Sequence, residues 1–197
     1  MTLRPFLALF AAATLAGCGI NSIPTAQETA AARWADVQVN YQRRADLIPN
    51  LVETVRGFAA QERNVLTEVT EARSRASSIQ LSADQLDDPQ AVATFQAAQG
   101  ALSSSLGRLL ATVESYPELR SNQNFLALQS QLEGTENRIA ISLRDYNEAV
   151  RDYNTRIRTF PEMIGAKLIH GAEPLTPYEA TAANADRAPT VDFGNKN

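Results

Sequence analysis

The chain is short of most residues that carry chemistry. It has one cysteine, Cys18, and one histidine, His170. A lone cysteine allows no disulfide within the chain and no cysteine–histidine metal cluster. A single histidine cannot supply the two Glu-x-x-His pairs of a di-metal helical bundle, and at the edge of a glycine it reads as a solvated or capping residue. Glycine is sparse between residues 20 and 160, at 57, 100, 107 and 134 only. That leaves no glycine-rich phosphate loop, and the Ser103-Ser104-Ser105 run has neither an elbow motif nor a histidine near it. The 18 Lys+Arg against 22 Asp+Glu are interspersed, and all the basic residues but Lys167 and Lys196 are arginine. No basic stripe for a phosphate backbone results, so nucleic acid is not an expected partner. No cofactor and no enzymatic activity are expected. No long period-two alternation appears, so no sheet is expected.

What is present begins at the N-terminus. Arg4 precedes an uncharged apolar stretch, Phe6 to Leu15. Spanning a bilayer takes about 20 residues, so this run fits the apolar middle of a signal peptide instead. It ends in Leu15-Ala16-Gly17-Cys18, which resembles the bacterial lipobox. That resemblance implies cleavage before Cys18 and a lipid on its thiol, with two or three acyl chains giving durable anchoring. Gly19 follows the cysteine where aspartate would retain the protein at the inner membrane. In a cell with two membranes the resemblance implies the outer one, with the chain facing the periplasm.

Residues 1–17 thus read as a signal peptide, 18–27 as acylated cysteine and tether, 28–170 as a helical bundle, and 171–197 as a flexible or loosely docked tail. A heptad seam runs from Trp34 through Val37, Tyr41, Arg44, Ile48, Leu51, Val55, Phe58, Glu62, Val65, Val69, Ala72 and Ala76 to Ile79. The spacing predicts one helix of about 75 Å, kinked at Pro49, whose missing N–H leaves the Ala45 carbonyl unbonded. Residues 77–88 read as a connection. Asp88-Pro89 then reads as a cap followed by proline at the first helical position. A second seam, from Val92 to Tyr116 with Gln99 its one polar member, predicts a helix of about 40 Å that stops before Pro117. A third, from Phe125 to Phe160, predicts about 60 Å, and Pro161 ends it before a short helix over 162–169. Short connections make neighbours antiparallel. The fold class expected is all-α: an elongated antiparallel bundle of three long helices and a short C-terminal one.

The candidate site residues are mostly architectural. Arg44 and Glu62 are charged seam positions, and Arg44 either snorkels or pairs across the bundle, with Glu133 or Glu136 as partner. Arg144-Asp145-Tyr146-Asn147 recurs seven residues later as Arg151-Asp152-Tyr153-Asn154. That period stacks Tyr146 over Tyr153 and Asn147 over Asn154, as a hydrogen-bond ladder to a facing helix or a docking strip for a partner.

Several motifs in order resemble the LemA family, over about residues 30–170. They are Tyr41-Gln42-Arg43-Arg44-Ala45-Asp46-Leu47-Ile48-Pro49-Asn50-Leu51-Val52, Gly57-Phe58-Ala59, Glu114-Ser115-Tyr116-Pro117-Glu118-Leu119, Tyr146-Asn147, Tyr153-Asn154 and Phe160-Pro161. The resemblance implies a long helical bundle at the cell envelope without catalysis, often behind an uncleaved membrane helix where this chain has its cysteine tetrad. It adds Asp46 and Asn50 to the structural or partner-contact candidates. The function expected is a membrane-anchored scaffold or adaptor for an envelope protein. A small-molecule or lipid-binding module, or a rod that assembles with itself, are the alternatives.

Overall fold

A computed structural model describes residues 21–179, and within them the chain is all-helical. Helix α1 spans Ser22–Phe58, α2 Arg63–Ser78, α3 Pro89–Val113, α4 Pro117–Arg120, α5 Gln123–Arg156 and α6 Glu162–Gly165, continued by a single π turn over Ala166–His170. The three long helices α1, α3 and α5 and a short C-terminal one make an elongated bundle.

The pair α1 and α5 forms the shaft, each a little over 50 Å long. They are antiparallel and in constant register. Trp34 meets Tyr146, with ring centroids 5.1 Å apart, and Arg44 meets Glu136. The same register sets Ser22 level with Arg158, beside α6. The second layer is α2 against α3.

The first seam belongs to two helices, not one. The α-helix passes through Pro49 unbroken, then stops at Phe58, and the chain turns over residues 59–62. Helix α2 returns alongside the second half of α1, so that Arg73 reaches Ala45 and Leu81 reaches Trp34. Heptad phase survives the reversal because both arms of the hairpin bury their seams in the same core. Pro49 is tolerated because the carbonyl it orphans is bonded from outside: Arg73 Nε donates to the Ala45 oxygen at 2.7 Å. The length of α1 that overhangs α3 is covered by α5.

The Asp88-Pro89 cap acts as the sequence predicts, and a second cap, not read from the sequence, opens α5. The Asp88 carboxylate accepts from the Gln90 N–H with Pro89 next to it, and Asn122 caps α5 through the Asn124 and Phe125 amides. Two segment boundaries differ. Helix α1 begins at Ser22, inside the stretch read as a tether, because Ile23 and Ala26 already pack into the core. Residues 171–179 are not loose: Gly171, at φ 55°, turns the chain back, and the segment lies along α5 as an extended strap with Leu175 buried. Residues 180–197, the rest of the tail, and Cys18 with the signal segment lie outside the described residues.

Candidate functional site

The apolar interior falls into two clusters. One holds Trp34, Val37, Tyr41, Phe95, Ile139 and Tyr146; the other holds Ile48, Leu51, Leu102, Leu106 and Leu132. Between them lies a polar layer built from all four main helices. Arg44 of α1 is 1% exposed at its centre. One terminal nitrogen donates to Glu136 Oε1 of α5 at 3.0 Å and to Ser103 Oγ of α3 at 2.8 Å. The other donates to Gln99 Oε1 at 2.6 Å, and the Gln99 amide donates in turn to the Ala76 carbonyl of α2. The guanidinium also lies over the Tyr41 ring, 4.9 Å from its centroid. Its Nε is the buried side-chain polar atom without a partner among the described residues.

Arg44 therefore does not snorkel. It is sunk where its planar fork can bond three side chains at once. Gln99 is buried with it, while Ser103 and Glu136 keep solvent contact, the Glu136 side chain 43% exposed. A buried charge adds little net stability but penalises any register in which its partners are absent. An open cleft of about 450 Å³ lies over this layer, lined by Tyr41, Arg44, Ser103, Glu136 and Tyr178. The sequence carried a signal for the layer: Arg44 and Gln99 are the polar exceptions in two apolar seams, and they meet. Ser103 and Tyr178 gave none.

The second polar arrangement is the strap. Asn154 donates from its amide nitrogen to the Leu175 carbonyl and accepts from the Leu175 N–H, at 2.8 and 2.9 Å. Asn147 does the same with Tyr178, at 2.8 Å each way. Each carboxamide thus pairs with a backbone amide as a neighbouring strand would. The spacing explains the repeat. Seven helical residues rise about 10.5 Å, and three extended residues about 10 Å. Pro174 and Pro177 hold the strap extended, so Leu175 and Tyr178 fall on one face. Two more bonds cross it, from the Tyr146 hydroxyl to the Thr176 carbonyl and from the Thr176 N–H to the Leu86 carbonyl. The asparagine ladder binds the chain's own tail, where a facing helix was expected. Tyr153 is buried beneath it.

The Tyr41 hydroxyl donates to Tyr178 at 2.8 Å and ties the strap to the polar layer. Burial, first, and then Tyr178 beside it push the Tyr41 hydroxyl far above the usual tyrosine range. Burial raises Tyr146 and Tyr178 as well. All three hydroxyls stay neutral at any ordinary pH, Tyr41 and Tyr146 as donors and Tyr178 as the acceptor from Tyr41.

The remaining candidates are dispersed. Glu62 sits at the α1–α2 turn and accepts from the Tyr116 hydroxyl at 2.7 Å, which raises that hydroxyl's pKa. Asp46 accepts from Gln42 on the exposed side of α1. Asn50 is exposed, and its carbonyl accepts from Thr54. The structure gathers Arg44 with Glu136, and Tyr146, Asn147 and Asn154 with the strap, but leaves Asp46, Asn50 and Glu62 apart. No group of three or more His, Cys, Asp or Glu side chains could hold a metal among the described residues, and no described helix is long and apolar enough to cross a membrane.

Among the described residues the chain is thus a slender helical rod with a buried polar layer and a clamped tail. Residues 33–193 match the sequence pattern of the LemA family, and the chain belongs to that family. It is similar to the magnetosome protein MamQ of Magnetospirillum gryphiswaldense, 29% identical over 72% of this chain, and to the magnetosome protein MamQ 1 of Paramagnetospirillum magneticum, 28% identical over the same share. It is also similar to the protein LemA of Metamycoplasma hominis, 23% identical over 63% of this chain. The chain spans little more than half of these relatives, 58% of each MamQ protein and 52% of the mycoplasma one.

Proposed function

We propose that this protein is a lipid-anchored scaffold of the cell envelope, attached through Cys18 and presenting its rod to a partner protein. The observation that carries the reading is the junction between Leu15-Ala16-Gly17-Cys18 and the rod. The helix that forms the shaft begins at Ser22, so the acylated residue joins the bundle almost directly. An anchor on so short a leash makes position the main thing the lipid supplies. Gly19 assigns the outer membrane, facing the periplasm, in a cell that has two membranes. The relatives named for the magnetosome carry a label that is a place in the cell and not a reaction, which suits this reading.

Four clefts among the described residues, about 350 to 470 Å³, are open to solvent, and the one over Arg44 finds both terminal nitrogens already bonded within the protein. That favours a protein partner over a lodged small molecule. Self-assembly of the rod has less to drive it, since the long α1 seam is filled by α2 and α5.

Two measurements test the reading. Labelled fatty acid should enter the wild-type protein and not Cys18→Ala; incorporation into both would sink the anchor. Crosslinking in intact cells should yield a protein adduct absent from a control lipoprotein, and a failure to exceed that control would refute the adaptor role.

A further inference from the structure

Among the described residues, four of the eight exposed large apolar side chains lie within ten residues at one end of the rod. Phe160 is 77% exposed, Ile164 49%, Leu168 81% and Ile169 59%. Ile164 and Leu168 are four apart through α6 and the π turn, so they share one face, and Phe160 stands in the turn just before α6. The other four, Val39, Phe58, Leu126 and Ile141, are scattered singly along the shaft, which is ordinary for a soluble surface. Flanking the apolar face are Arg158 and Lys167, exposed and without an ion pair among the described residues. A half-buried Glu162 is the acidic side chain within this stretch. An apolar face rimmed by cations is the composition of a segment that lies in a bilayer interface.

The position of this tip selects its occupant. The α1–α5 register places Ser22 level with Arg158, and Ile23 shares a core cluster with Ile157 and Ala166. Four residue steps separate Cys18 from Ser22, at most about 14 Å of extended chain. A lipid on Cys18 therefore holds Phe160 and Leu168 at the membrane surface.

We propose that the 160–169 tip is a second membrane contact, in which Phe160, Ile164, Leu168 and Ile169 enter the interface of an anionic bilayer beside the anchor and stand the rod upright. The proposal rests on Cys18 as the lipid site. An interfacial face of this kind sinks about 5–10 Å. The shaft then rises from the surface, and Ile141, 17 helical residues before Arg158, stands about 25 Å higher.

The test uses the mature lipidated protein reconstituted into vesicles of phosphatidylethanolamine and phosphatidylglycerol, with or without lipid brominated on its acyl chains. Two exposed positions receive a reporter, Leu168→Trp and Ile141→Trp. Native Trp34 is buried about 18 Å along the shaft from Ser22 and supplies a constant background. Bromolipid should remove most of the added emission in Leu168→Trp and none in Ile141→Trp. No quenching at 168 overturns the proposal, and is also the result if a protein covers the tip. Equal quenching at both positions overturns it too, because the rod then lies flat. Intact mass of the same samples reads the acyl chains on Cys18 separately: acylated protein with an unquenched tip loses the tip and keeps the anchor, and a quenched tip without acyl mass does the reverse.

Discussion

Replacing Asn154 by alanine removes two hydrogen bonds between α5 and the strap, both at Leu175. Each is worth about 1 kcal/mol net, so about 2 kcal/mol of strap stability goes with them. The helix itself does not suffer, because alanine is the better helix former. The strap can open without unfolding the bundle, so the loss appears as local opening. At about 1.4 kcal/mol per tenfold change, native-state amide exchange at Leu175 should quicken about 30-fold. The Tyr178 amide, held by Asn147 and by its hydroxyl on Tyr41, should follow to a smaller degree. Amides in α3 should be unmoved. Unchanged protection at Leu175 in Asn154→Ala would refute the clamp. Equal acceleration throughout the protein would show the strap to be part of the global unfolding unit.

Three further outcomes follow from the polar layer and its surroundings. Arg44→Ala should cost about 3 kcal/mol in denaturant unfolding, because buried Gln99 loses its donor, and Glu136→Ala should cost about as much, because it leaves the Arg44 cation buried without its carboxylate; a cost well under about 1 kcal/mol for Glu136→Ala would contradict the pairing. Arg73→Ala should cost about 1–2 kcal/mol by orphaning the Ala45 carbonyl, but far less in a Pro49→Ala background, where residue 49 regains an N–H for that oxygen; additive effects in the double-mutant cycle would be inconsistent with the rescue. Buried Tyr41 holds its proton above the ordinary value of 10.0, so above that pH the folded state binds more protons than the unfolded one and stability falls as pH rises. Tyr41→Phe should make the alkaline fall shallower by about 1.4 kcal/mol per pH unit, and an unaltered slope would show that other tyrosines carry it.

Secondary structure and fold class were legible because their signals are local. Asp88-Pro89 and Tyr116-Pro117 mark helix ends through a cap and backbone geometry that need no tertiary partner. Apolar periodicity told which faces are buried but not where the first helix folds back. A seam reads the same through a straight helix and through a hairpin whose two arms face one core, so residues 59–62 were invisible in the pattern. The strap was misread for a related reason. Its few apolar residues and two prolines resemble a solvated tail, and what orders it is a pair of carboxamides on another helix.

The sequence by itself settled that this chain is a long helical rod of the LemA family, with no metal cluster or catalytic motif spelled in it and a lipobox-like tetrad at its start. Those properties reside in composition, periodicity and short contiguous motifs. The tertiary structure decided how they combine. It brought Arg44 to Gln99, Ser103 and Glu136, gave Pro49 its compensating Arg73, and turned the Asn147–Asn154 repeat into a clamp for residues 175–178. It also set Phe160 and Leu168 at the same end as Ser22. Each of these is a meeting of side chains tens of residues apart, and only the register of packed helices determines it.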